Sequence, residues 1–192
     1  MKESTPKVFT PKEYKPKELS TLWKMYFSNI SISMAKLFFK NTREHISVRY
    51  KQRNVVMSRE YLDKLNPNSI TFAFKINPIN GTGIIFFSDD LANYLVNSFL
   101  GGLNSKVELN RELSSTDAKL LNNTLGDIYG LLLSQMKEDR IEVEFENIQP
   151  NLLNFVSNSS AANEMISVQQ FVVEVANNSF LLDIAFSNRL IE

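Results

Sequence analysis

Few side chains in this sequence could do covalent chemistry. It has one histidine, His45, and no cysteine. A Ser-His-Asp triad would have to run through His45. Thiolate nucleophiles, disulfides and cysteine-based zinc sites are excluded, as is any cluster of histidine metal ligands. His45 opens an alternating segment, which makes it a surface residue at a strand start rather than a general base. Glu142, Glu144 and Glu146 stand two residues apart in R-I-E-V-E-F-E and so share one strand face. Carboxylates suit a hard cation, but a spacing of about 7 Å along a strand is poor for chelating one ion. A solvated face fits them better. Arg49, Lys51 and Arg53 form a second charged set, opposite in sign. The two sets are expected to meet within a sheet or between neighbouring copies of the chain.

One further stretch stands out. N-S-F-L-G-G-L-N-S-K, from Asn97 to Lys106, places two of the chain's six glycines side by side. A glycine ends a helix well because it enters the left-handed region at no cost. One glycine satisfies that need. The second would leave the backbone open to a partner.

The rest of the composition narrows the class. The chain has 192 residues, 43% of them hydrophobic and 14 of them Phe, enough for a sizeable core. It carries 21 basic and 21 acidic residues, so nothing pulls it globally toward nucleic acid or an anionic membrane. No apolar run approaches the roughly 20 residues of a membrane helix. No Gly-x-x-x-x-Gly-Lys loop or Gly-x-Gly-x-x-Gly fingerprint is present, and no cofactor or metal is expected.

The elements that must position these residues follow from periodicity. Residues 1–17 repeat Pro-Lys at Pro6, Pro11 and Pro16 and read as a disordered tail. From 18 to 40, Leu19, Leu22, Trp23, Tyr26, Ile30, Met34, Leu37 and Phe38 mark one helical stripe. In H-I-S-V-R-Y-K, Ile46, Val48 and Tyr50 face one way and Arg49 and Lys51 the other. Ser58 is placed to cap a short helix with Tyr61, Leu62 and Leu65. S-I-T-F-A-F-K-I and G-I-I-F-F-S predict paired strands, and Asp89 or Asp90 is expected to cap a helix ending at Gly101. L-S-S-T-D predicts a capping box before a long helix with Leu121, Leu125, Ile128, Leu132 and Met136 inward. The last strands form a hairpin around Asn177-Asn178. Long helix, charged strand and hairpin thus occur twice. This predicts a three-layer α/β/α domain over residues 18–192 with pseudo-twofold internal duplication.

The order of these pieces resembles the middle domain of the FliM family of flagellar motor switch proteins and its CheC-like relatives. The likeness rests on Y-K-P-K-E-L-S-T-L, M-S-R-E-Y-L-D-K-L-N-P, I-N-P-I-N-G-T-G-I-I-F-F, D-L-A-N-Y-L-V-N-S-F-L-G-G, L-S-S-T-D-A-K and F-S-N-R-L-I-E. It implies a non-enzymatic scaffold of the rotor switch ring that transmits changes of rotation. It also implies contact with a FliG-like protein through Gly101, Gly102, Leu103 and Asn104, where Asn104 stands in place of the family's final loop glycine. Neighbouring copies would pack side by side in a ring at the cytoplasmic face of the inner membrane. A FliN-like partner is implied only if the full protein has a further C-terminal domain. The family's CheY-binding peptide has no match before Pro6, so contact with CheY stays open. Two alternatives accompany the resemblance: a CheC-type phosphatase acting on phosphorylated CheY, and a sorting-platform component of a type III secretion system. CheC-type phosphatases place a Glu three residues before an Asn on a long helix. Here Asn122 follows Lys119, Asn123 follows Leu120 and Asn29 follows Tyr26, so no copy is complete.

Overall fold

The computed structural model describes residues 16–65, 70–77, 81–102, 112–138, 144–148 and 164–187. In chain order the elements are α1 (Pro16–Thr42), β1 (Ile46–Met57), α2 (Ser58–Leu62), β2 (Thr71–Asn77), β3 (Gly81–Phe87), α3 (Asp89–Phe99), α4 (Ser115–Glu138), β4 (Glu144–Ile148), β5 (Met165–Val175) and β6 (Asn178–Ser187). α1 starts slightly earlier than its apolar stripe predicts, because Pro16 suits the first helical turn, where a missing N–H costs nothing.

The six strands form one antiparallel sheet in the order β1-β5-β6-β3-β2-β4. Exchanging β1 with β4, β2 with β5 and β3 with β6 turns this order into its own reverse. The duplication expected from the sequence is therefore a pseudo-twofold whose axis passes between β3 and β6, at pairs such as Ile85 and Ile184. The two halves are also interlaced. β1 pairs with β5 of the second half, and β4 pairs with β2 of the first.

Helices α1, α3 and α4 cover one face of the sheet over a core rich in phenylalanine. Phe27, Phe38, Phe74, Phe87, Phe171 and Phe186 are all buried there, together with Leu91, Leu95, Leu121, Leu125, Ile128 and Leu132. α1 and α4 meet across this layer, where the Tyr26 hydroxyl donates to the Leu132 carbonyl at 3.3 Å. The third layer is thin. Among the described residues α2 supplies it, with Tyr61 packed against Ile84, Ile166, Val168 and Ala185. The architecture is α/β/α, as the sequence predicts.

Two predicted caps are reassigned. Ser88, not Asp89 or Asp90, is the N-cap of α3 and accepts from the Leu91 N–H at 3.4 Å. The two aspartates sit in the first turn, where the helix dipole favours negative charge. Ser58 does not cap α2: it is the first helical residue, its N–H donates to the Glu164 carbonyl at 2.9 Å, and the N-cap position, Met57, makes no side-chain cap bond. The capping box before α4 forms as predicted. The Ser114 N–H donates to Asp117 Oδ2 at 2.8 Å, and the Asp117 N–H donates to Ser114 Oγ at 3.2 Å.

Candidate functional site

The double glycine closes α3. Leu91, Leu95 and Val96 are fully buried, so the helix is seated firmly on the sheet. At its end the Gly101 N–H donates to the Ser98 carbonyl at 3.1 Å and the Gly102 N–H to the Asn97 carbonyl at 2.9 Å. This pair of bonds is a Schellman motif, and it requires the left-handed conformation that Gly101 adopts at φ 76°. Gly101 therefore answers to helix termination. Gly102 lies outside the left-handed region, but a β-carbon there would fall 2.3 Å from Asn97 Oδ1. Its lack of a side chain makes room for the Asn97 amide, and its N–H is already taken. The expectation that Gly102 offers an unused backbone is corrected to that extent. What the corner does present is Leu100, 68% exposed. Leu103 and Asn104 lie outside the described residues.

The corner is tied to the end of α1. Arg43, at φ 62°, reverses the chain after α1. Glu44 then reaches α3, accepting hydrogen bonds from the Tyr94 hydroxyl and from Ser98 Oγ, the latter at 2.8 Å. Burial, with the bond to Glu44 behind it, pushes the Tyr94 hydroxyl well above its ordinary pKa, so it stays protonated and keeps donating. His45 is exposed at the start of β1, with its ring 5.6 Å from that of Phe39.

The charged strands are separated rather than joined. β1 and β4 occupy opposite edges of the sheet, so the two sets do not meet within one sheet. The basic set is itself split. A bulge between Tyr50 and Gln52 makes Lys51 an extra residue. It turns Arg53 onto the face of Tyr50, where Arg53 Nε donates to Ser167 Oγ at 2.6 Å. Arg49 stays on the opposite face and pairs with Glu174 at 3.1 Å across the strands. Glu144 and Glu146 stand in register with Asn77 and Lys75, and Glu142 lies outside the described residues. No group of three or more His, Cys, Asp or Glu among the described residues could hold a metal ion.

The positions compared with a phosphatase pair remain incomplete in space. Asn29 and Asn123 are exposed, but the residues three positions earlier are the buried Tyr26 and the half-buried Leu120. Asn122 is half-buried, with its Oδ1 sealed from solvent, and follows exposed Lys119.

The described residues form one packed domain, and comparison with known proteins gives its family. The family model of the flagellar motor switch protein FliM matches residues 17–192, and the chain belongs to that family. It is a structural component of the flagellar motor switch and not an enzyme. A chain of the FliG–FliM complex from H. pylori superposes with a TM-score of 0.78 at 17% identity, covering 91% of this chain and 95% of that one. The FliM middle domain of Vibrio alginolyticus gives 0.72 at 19% identity, covering 89% and 95%. FliY of Thermotoga maritima gives 0.72 at 12% identity, covering 96% and 94%. At such identities these likenesses carry the fold. No curated protein sequence matches the chain.

Proposed function

We propose that this member of the switch family holds a FliG-like protein at the C-terminal corner of α3, from Leu100 to Gly102, and that Leu103 and Asn104, next in the sequence, belong to the same contact. One observation carries the reading. Leu100 is 68% exposed at the end of a helix whose inner residues Leu91 and Leu95 are fully buried. A large apolar side chain held outward on a rigid support suits a protein contact. The likeness to a chain from a FliG–FliM complex supports the same choice of partner. Function here is transmission: the helix cannot yield without disturbing the core, so rotation of the domain reorients whatever is bound at its corner. Copies standing side by side in a ring at the cytoplasmic base of the flagellum complete the reading. Contact between copies would draw on the opposite charges of the two sheet edges, and a FliN-like protein would join through any further domain.

Leu100→Asp tests the proposal. Titration calorimetry with a FliG middle domain from the same source should show affinity more than tenfold weaker, about 1.4 kcal/mol. The thermal midpoint should stay within a few degrees, because Leu100 contributes little to the core. Unchanged affinity would place the partner elsewhere. Gly102 is the poorer probe, since any side chain there displaces the Asn97 amide before it meets a partner.

A further inference from the structure

We infer that Glu44 is a positioning residue for the partner-binding corner: from the turn between α1 and β1, it fixes the last two turns of α3 and so the conformation of Leu100, Gly101 and Gly102. The inference rests on the reading of the corner given above. Tyr94 and Ser98 lie one turn apart on α3, and both donate to the same carboxylate. Ser98 also supplies the carbonyl that accepts from the Gly101 N–H. The residue that Glu44 grips is therefore part of the helix stop itself.

Three features show that the contact is built. The Tyr94 ring is 1% exposed and lies 5.2 Å from the Phe180 ring, so its hydroxyl is aimed by the core. Arg43 takes the left-handed conformation, which a residue with a side chain holds only when its surroundings enforce it. Thr42 Oγ1 accepts from the Glu44 N–H at 3.2 Å while donating to the Phe38 carbonyl at 2.9 Å, so the turn is anchored to α1 as well. A carboxylate beside a helix C-terminus is disfavoured by the helix dipole, and α3 has no basic residue in its last turn. Stabilising the isolated helix therefore does not account for Glu44. Joining α3 to α1 does, and it makes the end of one helix rigid with respect to the other.

The test uses Glu44→Ala and Glu44→Gln in the whole chain. Alanine removes both acceptors. Glutamine keeps a carbonyl oxygen for one hydroxyl and can donate to the other, since a hydroxyl both donates and accepts. The Gly101 and Gly102 amides report directly on the corner by hydrogen exchange. They should exchange roughly tenfold faster or more in E44A, at a rate near wild type in E44Q, while amides of the central strands are unchanged. Affinity for the FliG middle domain should fall at least roughly fivefold in E44A and return in E44Q. Unchanged exchange at the two glycines in E44A overturns the inference, as does faster exchange with affinity intact. If the wild-type chain does not bind the middle domain at all and E44A still loosens both glycines, the partner reading fails and the positioning role stands.

Discussion

The ring of Phe74 lies over the α-carbon of Gly83, its direct partner on the neighbouring strand. A β-carbon built on Gly83 would fall 2.2 Å from Phe74 Cζ. The ring also packs on Phe186 at 6.0 Å and Tyr129 at 5.4 Å, so it has nowhere to retreat. Gly83→Ala should therefore destabilise the fold by about 1–3 kcal/mol, the usual cost of overpacking a filled core. Urea unfolding of the two proteins measures it. An unchanged midpoint would show that the ring is free to move aside.

Gly101 offers the opposite test, because space is open around it and only its conformation is special. Gly101→Ala should cost about 1 kcal/mol through the positive φ alone. Gly101→Asn should recover part of that, since asparagine tolerates the left-handed region better than most residues. Thermal melts of the three proteins decide the order. Equal stability for alanine and glycine would mean that the helix stop is readily rebuilt another way.

Asp183 gives the molecule a pH dependence of known sign. It is 6% exposed and accepts from the Tyr61 hydroxyl at 3.1 Å. Burial raises its pKa above the ordinary 3.8, against the opposing pull of Tyr61, Gln170 and Lys51. In the window between 3.8 and that raised value the folded state binds more protons than the unfolded state, so stability falls as pH rises. Asp183→Asn removes the titration. The variant should gain on wild type through that window, by about 1.4 kcal/mol for each pH unit the window spans, and the gap should be level above it. Urea midpoints of both proteins from acidic to neutral pH measure this. Parallel curves would mean that Asp183 titrates normally.

The basic residues of β1 and the acidic residues of β4 belong to opposite edge strands, so any contact between those two strands is a contact between copies. Such a contact is head-to-tail, so it closes into a ring or runs on as a filament. Association should be weak in dilute solution and fade as salt rises, because exposed charges are screened over about 8 Å at physiological ionic strength. Lys51 stands exposed at the bulge of the β1 edge, and Lys51→Glu should abolish the association. Sedimentation at low and high salt tests this, and a salt-resistant dimer would point to an apolar contact instead.

What could be read from the sequence was whatever repeats along it. The apolar stripe of α1 appears in the buried Trp23, Tyr26, Ile30, Met34 and Phe38. The Ser114–Asp117 box and the final hairpin were equally plain. The cap of α3 was harder, because Ser88, Asp89 and Asp90 can each accept from a backbone N–H and only geometry chooses among them. The flip of Arg53 left no trace, since a bulge within R-Y-K-Q-R inserts one polar residue among others. At the candidate site the glycines were visible, but what surrounds them was not. Glu44 bonds to residues 50 and 54 positions away, a separation no local pattern encodes. The crowding of Gly102 by Asn97 depends on how the loop folds back on its own helix.

The interlacing of the two halves has a mechanical consequence. Each half surrenders its first strand to the other's hairpin, β1 to β5 and β4 to β2. A load applied at the end of α3 cannot part the halves at a seam, because a cut between them through the sheet would have to break those strand pairs along with β3 and β6 at the axis. A domain laced in this way should answer a load as one stiff plate, and in any assembly of such plates the compliance would reside in the joints between them.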